Sequence, residues 1–455
     1  MKSLSRKYGQ IRKANPCLKK MNMDTLRLFL LLVSFSLLPF ENLRGTIFDI
    51  PLFASEGATL LLVLAILPLF FGEKRWFRFK TPFFLENIWL QKWFFLGLLC
   101  LLLGVITSLV RGMMPDALCP LEATRTRHGL GILLSWFLFP LILGYSAFIL
   151  AQRHSKATVL FLLSLSFIPL LIFLLSIWIS GGGFTYDQRF QGHMNSPNVL
   201  AMYLVPAALL FWYFFRRRGE LFSAKNSLPH IRHLFFALFF LSVFFLISTR
   251  SFSGSISFFG AFLFFEYSLL TRRIRIPLLL AGIFTLLLAG SIFLHERFDN
   301  QSFFDPNSRS SFASRVMIWK AAGLMIAESP VFGIGPGNFG PCYLSHQRFF
   351  PPYLEWSAPE PHNLFLAFWL GSGILGTFGF FSLLLLWLFA LYPKREEKSK
   401  IALLFLAIVI ALLLHGLFDT PYWRAGLAGI FWTVFFLGLQ LLERKSEASL
   451  QRRES

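Results

Sequence analysis

Three arginines and one histidine stand out as the residues that could carry chemistry. They are Arg189, Arg250, Arg315 and His362, and each lies beside the end of an apolar run or in a long polar stretch. Guanidinium groups hold a diphosphate through bidentate, charge-assisted hydrogen bonds. An imidazole near its ordinary pKa can accept a proton from an attacking hydroxyl. This set suits the transfer of a group from a lipid-linked diphosphate to a hydroxyl, without a metal.

Two of the arginines lie at predicted helix ends. Asn195, Ser196 and Asn198 follow Arg189 and are natural N-cap residues for a helix that begins near position 198, where an exposed N-terminus favours anions. Arg250 lies between two apolar runs with almost no loop, at the outer lip of a helical hairpin. An arginine there costs free energy unless it snorkels to water or binds an anion. Ordinary capping and snorkelling would also explain these residues.

Arg315 and His362, the other two candidates, each have a nearby residue that suits a helix. Trp319 follows Arg315 by four residues, so both side chains share one face of a helix. Asn363 is a natural cap for the helix that begins after His362. His415, at the end of another apolar run, is a second candidate base. Since a lone histidine at a helix start is more often structural, the chemistry depends on these residues meeting at one place.

Apolar segments must position all of them. Hydrophobic residues make up 55% of the 455 positions and charged residues only 15%, against about 25% in soluble domains. Runs of about 17–25 apolar residues can cross a bilayer, where helices satisfy the backbone. The candidate runs are 25–40, 56–72, 93–110, 130–151, 157–180, 198–215, 233–249, 252–270, 276–294, 364–392, 401–415 and 422–442. We therefore predict an all-α polytopic membrane protein with about 12 transmembrane helices.

The distribution of charge predicts the orientation of these helices. With a cytoplasmic N-terminus and about twelve crossings, the inside segments hold 31 of the 43 Lys and Arg but only 10 of the 23 Asp and Glu. Such an asymmetry follows the positive-inside rule. It places both termini in the cytoplasm and the four candidate residues outside. It also explains the net charge of +20 without a nucleic-acid partner.

Three units are predicted along the chain. They are helices 1–5 over residues 1–180, a core over 181–394, and helices 11 and 12 with a basic cytoplasmic tail over 395–455. The core includes a proline-rich outside loop at 295–361, in which residues 313–329 predict an amphipathic helix near the membrane surface. The run 364–392 is too long for one span, and Gly371 and Gly373 predict a short half-helix before the crossing helix.

The cysteines predict no metal centre. None of the four has a partner at metal-ligand spacing, and no cofactor is expected. Cys119 and Cys342 both fall in predicted outside loops, an oxidising setting in a Gram-negative envelope. We hypothesise a disulfide between them, with two unrelated thiols as the alternative.

Five stretches form an ordered set of motifs over about residues 185–380. They are RFQGHMNSPNVLA (189–201), STRSFSG (248–254), SRVMIWKAA (314–322), SPVFGIGPGNF (329–339) and PHNLFLAFWLGSGILG (361–376). In order and spacing they resemble the O-antigen ligase and polymerase superfamily of bacterial inner-membrane proteins. One departure is Gly371, where members often carry an acidic residue.

The resemblance implies a reaction and roles for these residues. The family transfers glycans from undecaprenyl diphosphate to an acceptor hydroxyl at the periplasmic face, by inverting, metal-independent chemistry. Arg189 and Arg250 would then bind the donor diphosphate. Arg315 would assist from the loop helix, and His362 would activate the acceptor. The leading expectation is an O-antigen ligase of lipopolysaccharide biosynthesis, with the lipid A core as acceptor.

The resemblance also implies a role for the glycine-rich motif in the loop. Gly333, Gly335 and Gly337 would let the backbone turn close to the substrate.

Other functions fit the same residues. An O-antigen polymerase would use another lipid-linked repeat unit as acceptor, and a related ligase would glycosylate a protein such as a pilin. An inorganic-anion transporter is an alternative of another class, because the arginines could bind an anion in transit. Coupled carriers usually place ionisable residues at mid-membrane, and these apolar runs contain few.

Overall fold

Helices form almost the whole of the structure. The computed structural model describes residues 22–47, 50–71, 88–114, 125–217, 229–269, 311–351, 357–396 and 399–451. Its helices are α1 (Met23–Leu37), α2 (Ala54–Phe71), α3 (Ile88–Gly112), α4 (Arg125–Ile132), α5 (Phe139–Arg153), α6 (Lys156–Leu165), α7 (Ile168–Ile179), α8 (Pro197–Arg216), α9 (Pro229–Ser248), α10 (Phe252–Leu269), α11 (Ser311–Glu328), α12 (Phe339–His346), α13 (Leu364–Glu396), α14 (Lys400–Gly416) and α15 (Ala425–Gln451). A π-helical segment, Leu133–Leu138, joins α4 to α5, and a 3₁₀ turn, Gln347–Phe349, follows α12.

The predicted apolar runs coincide with helices throughout the described chain. Only the run 276–294 lies outside the described residues. Seven helical stretches are long and apolar enough to cross a membrane, namely Trp89–Gly112, Gly129–Arg153, Lys156–Ile179, Pro197–Arg216, His230–Ser248, Phe252–Leu269 and Leu364–Phe389. Shorter apolar helices cover Ala54–Pro68, Lys400–Gly416 and Ala425–Leu441. The chain is therefore a polytopic helical membrane protein, while twelve crossings and cytoplasmic termini stay predictions.

One small sheet interrupts the helices and was not predicted. Strands β1 (Arg44–Ile47) and β2 (Ile50–Phe53) pair antiparallel between α1 and α2, with Arg44 opposite Phe53. The amide of Ala54 donates to the carbonyl of Leu43 at 2.8 Å, which leads the hairpin directly into α2.

Close packing of small residues holds α13 against α3. A Cβ atom added at Gly104 would lie 2.2 Å from the Gly376 nitrogen, and one at Gly379 would lie 2.3 Å from the Leu101 nitrogen. The two backbones can approach so closely only because these positions lack side chains. The other main helix pairs are α5 with α15, α8 with α9, α10 with α14, and α1 with α2.

The predicted break in α13 is confirmed, and a second turn stabilises it. Gly373 has φ 65° and ψ −178°, a conformation essentially restricted to glycine, so a half-helix precedes the longer helix. The amide of Ile374 donates to the Val331 carbonyl at 3.0 Å, and the amide of Gly335 donates to the Leu370 carbonyl at 3.1 Å. The glycine-rich turn after α11 therefore satisfies backbone groups that the break leaves unpaired.

Residues assigned to the inside segments meet at one end of the bundle. Asp24 accepts from Arg27 at 2.7 Å and from Arg153 at 3.0 Å, and Lys156 donates to the Gln440 carbonyl at 2.7 Å. These contacts place the segments at the same end of the bundle, and the side of the membrane that this end faces stays a prediction.

Candidate active site

A histidine–aspartate pair lies at the start of α13. His362 immediately precedes the helix cap, and its Nδ1 lies 3.2 Å from Oδ1 of Asp419 in the loop between α14 and α15. Asp419 is buried, whereas the His362 side chain is 30% exposed. With Asp419 as acceptor for the Nδ1 proton, the Nε2 lone pair stays available to take a proton from a substrate.

The two members of this pair shift each other's pKa. Burial alone would lower the pKa of His362, but the Asp419 carboxylate, through its charge and hydrogen bond, raises the pKa above its ordinary value. Glu360 acts in the same direction, and Arg315 opposes it. Burial would raise the pKa of Asp419, but His362 lowers it overall. The carboxylate is therefore ionised at neutral pH and stabilises an imidazolium that forms beside it.

Asn363 joins the two segments that carry the pair. Its Oδ1 accepts from the amides of Phe365 and Leu366 at 3.0 and 3.1 Å, which is the cap that the sequence predicted. Its Nδ2 donates to the Leu417 carbonyl at 3.1 Å. One side chain thus caps α13 and holds the α14–α15 loop beside it.

Helix α11 brings two more side chains to the same corner. Nε of Arg315 donates to the Phe418 carbonyl at 2.8 Å, one residue before Asp419. The indole N–H of Trp319 donates to the His362 carbonyl at 3.4 Å. Because residues four apart share a helix face, the spacing of Arg315 and Trp319 lets one helix contact both segments of the pair.

Arg250 occupies the tip of the tight turn between α9 and α10. Its φ is 46°, in the left-handed region that costs a non-glycine residue about 1–2 kcal/mol. Thr249 and Ser251 are fully buried on either side, and the Ser251 amide donates to Thr249 Oγ1 at 3.2 Å. The Arg250 side chain is exposed and has no hydrogen bond or ion pair within the described part of the chain. Buried neighbours therefore hold a strained turn that presents an uncompensated cation.

Arg189 lies directly beside this turn. Its guanidinium donates to the Thr249 carbonyl at 3.0 Å and to Oδ1 of Asn198 at 2.9 Å. These two bonds hold the guanidinium beside the turn. The cap of α8 is Ser196, which accepts from the Asn198 amide at 3.2 Å. A capping role for Asn195 and Asn198 is therefore wrong: Asn195 is exposed, and Asn198 positions Arg189.

His415 lies between the turn that carries Arg250 and the His362–Asp419 pair. Its Nε2 lies 3.1 Å from Oγ of Ser253, and its Nδ1 lies 3.4 Å from Oγ of Ser257. The side chain is only 2% exposed, so it is poorly placed to meet a substrate as a second base. Through this link the turn that carries Arg250 and the His362–Asp419 pair lie at the same end of the bundle. We call Arg189, Arg250 and Arg315 the cationic rim.

Backbone strain marks the same place. Among the described residues, those other than glycine with a left-handed φ are Gln188 at 59°, Arg250 at 46° and His362 at 47°. Gln188 immediately precedes Arg189. Positive φ is uncommon outside glycine, and such strain clusters at functional sites. Its coincidence with residues chosen from the sequence supports a functional site at this position.

An acidic cluster adjoins His362 and was not predicted. Oε2 of Glu360 accepts a hydrogen bond from Oγ1 of Thr420. Burial raises the pKa of Glu360, and the charge of Arg424 opposes this shift. Arg424 also donates to Oε2 of Glu41 at 3.2 Å. In the sequence, Glu360 is visible only as an acidic residue two positions before His362, in a proline-rich stretch. Its partners Thr420 and Arg424 are remote in sequence, so the cluster could not be predicted.

A cavity of about 310 Å³ opens next to Glu360. Its lining includes Trp136, Gly335, Gly337, Phe339, Glu360 and Trp423, and we call it the aromatic cavity. Trp136 comes from the π-helical segment, a local geometry that often occurs at functional sites.

The three glycines of the glycine-rich motif, Gly333, Gly335 and Gly337, do not all contact the same part of the structure. Gly335 and Gly337 line the aromatic cavity, with φ of 92° and 80°. Gly333, with φ 68°, packs instead against α13, because an added Cβ would lie 2.4 Å from the Leu370 carbonyl. At Gly371 the ring of Trp423 fills the space, and an added Cβ would lie 2.8 Å from it.

The two described cysteines differ in their oxidation state. Cys342 is buried and disulfide-bonded, and Cys100 is a free thiol. The proposed partner, Cys119, lies outside the described residues, so that pairing stays a prediction. Within the part of the chain that the structure describes, no three His, Cys, Asp or Glu side chains lie together as a metal site would require.

Comparisons with known proteins agree with the motifs. Residues 237–381 match the family model described as O-Antigen ligase. Over 244 residues the chain is 27% identical to the ComP-specific O-oligosaccharyltransferase of Acinetobacter baylyi (strain ATCC 33305 / BD413 / ADP1). That alignment covers 52% of this chain and 42% of the relative, so the chain spans about two fifths of the relative's length. The resemblance to the O-antigen ligase superfamily is confirmed, and the matches support a glycan-transferring membrane enzyme.

Proposed function

We propose that this chain, a member of the O-antigen ligase superfamily by its match over residues 237–381, transfers a glycan from undecaprenyl diphosphate to an acceptor hydroxyl at the periplasmic face of the inner membrane. The observation that carries the proposal is the meeting of the His362–Asp419 pair with the cationic rim at one end of the helices. The leading acceptor is the lipid A core.

The cationic rim supplies the donor site. Arg250 is exposed, strained and uncompensated among the described residues, and Arg189 is bonded to the Thr249 carbonyl of the same turn. A diphosphate offers oxygens to several guanidinium groups at once, and charge-assisted bonds of this kind are about twice as strong as neutral ones. Because the donor is anchored in lipid, a site at helix ends lies where its headgroup would emerge.

His362 acts as the general base for the acceptor. Nε2 takes the hydroxyl proton as the acceptor oxygen attacks the anomeric carbon of the donor sugar, and Asp419 stabilises the resulting imidazolium. The bond between the anomeric carbon and the diphosphate oxygen breaks, and its electron pair leaves with undecaprenyl diphosphate. The cationic rim stabilises the charge that develops on that leaving group. Attack from the opposite face inverts the anomeric configuration.

A second candidate is an oligosaccharyltransferase that modifies a protein such as a pilin. The name of the Acinetobacter baylyi relative, an O-oligosaccharyltransferase specific for ComP, favours it. The donor side and the base would be the same, and only the acceptor would differ. An O-antigen polymerase shares the same chemistry, with a lipid-linked repeat unit as acceptor.

Analysis of surface glycans tests the proposal. In a bacterium lacking the gene, lipopolysaccharide gels should show the core without attached polymer, and the wild-type gene should restore the polymer. One-repeat ladders would identify a polymerase, and loss of glycan from a pilin with normal lipopolysaccharide would identify the protein-modifying activity. An unchanged profile of lipopolysaccharide and glycoprotein would contradict glycan transfer altogether.

A further inference from the structure

The aromatic cavity differs from the cationic rim in both charge and shape. Apolar walls dominate it, with Trp136, Phe339 and Trp423 among the residues that line it. Within the described part of its lining, the charged side chain is the Glu360 carboxyl. Among the described residues that line the cavity, a diphosphate would meet the acidic Glu360 and no cation, so charge argues against the donor headgroup as the occupant.

The carboxyl group of Glu360 is held in place by Thr420 and lies near the charge of Arg424. Thr420 donates to Oε2; burial raises the pKa of Glu360, and the charge of Arg424 opposes this shift. A carboxylate accepts several hydrogen bonds at once. Glu360 is close enough to His362 to raise its pKa, so a hydroxyl compound held by Glu360 would lie near the base.

Trp136 and Trp423 offer a ligand two different contacts, a partly exposed aromatic ring and an indole N–H. Trp136 is partly exposed on the π-helical segment, and its carbonyl accepts from Tyr422 Oη at 2.8 Å, which fixes the segment. Trp423 is buried, yet its indole N–H has no hydrogen-bond acceptor among the residues that the structure describes. Buried donors without an acceptor are rare in native structures, and a ligand oxygen could satisfy this one.

We propose that the aromatic cavity binds the sugar ring of the acceptor, with Trp136 against its apolar C–H face and Glu360 on its hydroxyl groups. A pyranose presents this combination of a flat apolar face and a polar rim. The volume of about 310 Å³ lies at the lower limit of ligand pockets, which suits one monosaccharide unit rather than a lipid chain. The inference rests on the proposed function and specifies its acceptor as a carbohydrate.

Direct binding measurements test the inference without catalysis. Saturation-transfer difference NMR would use the full chain in amphipol, since many detergents themselves carry sugars. The probes are methyl α-D-glucopyranoside, its 2-acetamido-2-deoxy analogue, and a blocked serine tripeptide that represents a protein acceptor. We expect saturation of at least one glycoside, concentrated on ring protons. Absence of any glycoside signal, or a signal from the peptide alone, would overturn the proposal.

Two variants locate the binding. Glu360→Gln keeps the shape but removes the charge, and should weaken glycoside binding about tenfold, as expected for the loss of a hydrogen bond to a charged group. Trp136→Ala should remove most of the ring-proton signal. The matched controls are Glu328→Gln, on α11 and paired with His346, and Trp93→Ala, an exposed residue of α3. Glycoside binding that both cavity variants leave unchanged would contradict this site.

Transfer assays separate this inference from the proposed function. Arg250→Ala should lose transfer but keep glycoside binding. If Arg250→Ala loses transfer while no glycoside binds the wild type, the proposed function is supported and the sugar site in the aromatic cavity is contradicted. If Arg250→Ala transfers glycan at the wild-type rate, the proposed function falls, whatever binds in the cavity. Glu360→Gln keeps the shape of the side chain and should melt at the wild-type temperature, so it tests the site even though Trp136→Ala, which loses packing against the core, should melt lower.

Discussion

The cationic rim and the aromatic cavity both adjoin His362, but they differ in charge and in the types of residue that form them. The rim consists of guanidinium groups on strained or irregular backbone, one of them exposed and uncompensated among the described residues. The cavity has aromatic walls from a π-helical segment and a loop, and a carboxyl group. The difference is what the proposed function requires, namely two substrates of unlike chemistry, an anionic donor and a neutral, hydroxyl-bearing acceptor, with one base between them.

The largest effect should come from the group that serves both regions. His362→Ala removes the base, and general base catalysis contributes about 10²–10⁴-fold, so transfer should fall about a thousandfold. The measurement is the initial rate in membranes supplied with lipid-linked donor. His230→Ala, an exposed residue at the opposite end of α9 from Arg250, is the matched control and should keep the wild-type rate. Transfer by His362→Ala at a similar rate would remove His362 from the mechanism.

Loss of one rim arginine should have the next largest effect. Arg250→Ala should reduce kcat/KM for the donor about a hundredfold, because a hydrogen bond between charged groups contributes about 1.5–3 kcal/mol. Arg250→Lys should recover only part of this, since an ammonium group lacks the bidentate geometry. Arg348→Ala, another exposed arginine, serves as the control. Equal losses in Arg348→Ala and Arg250→Ala would show that general surface charge, rather than the rim, attracts the donor.

Removing the partner of the base should change the pH dependence as well as the rate. The Asp419 carboxylate raises the pKa of His362, whereas burial and Arg315 lower it and Glu360 raises it. The base works only when neutral, so activity falls as the pH drops below this raised pKa. Asp419→Asn should lower the pKa and move the acid limb to lower pH, while the rate at neutral pH falls about tenfold. An acid limb that stays in place or moves to higher pH would contradict the pairing.

The smallest effect concerns the strain at the rim. Arg250→Gly should unfold at a higher temperature than Arg250→Ala, because glycine adopts a φ of 46° without the cost of about 1–2 kcal/mol that a Cβ imposes. The greater flexibility of unfolded glycine offsets part of the gain. Both variants should lack efficient transfer. A lower melting temperature for Arg250→Gly would mean that the turn is not strained by its side chain.

The two regions also differ in how well the sequence predicted them. Arg189, Arg250, Arg315 and His362 were identified because charged residues are conspicuous at the ends of apolar runs, and their motifs have a fixed order. The break at Gly373 followed from the length of its run. The fold class followed from composition, since long apolar segments have few structural options in lipid.

The cavity escaped prediction because its parts are remote in sequence and individually ordinary. Trp136 and Trp423 are two among many aromatic residues, and their meeting depends on the packing of α5 against α15. Asp419 was not predicted as part of the site, because nothing local shows that it pairs with His362. The small sheet at Arg44–Phe53 was missed for a similar reason: its strands are too short for a periodic pattern.

Two-substrate kinetics test the central claim most directly. Purified wild type, Arg250→Ala and Glu360→Gln would be assayed while the lipid-linked donor and the acceptor are varied independently. Separate substrate sites predict that Arg250→Ala raises KM for the donor and leaves KM for the acceptor near the wild-type value. Glu360→Gln should do the reverse. If both variants raise KM for the same substrate, the cationic rim and the aromatic cavity form one site and the account is contradicted.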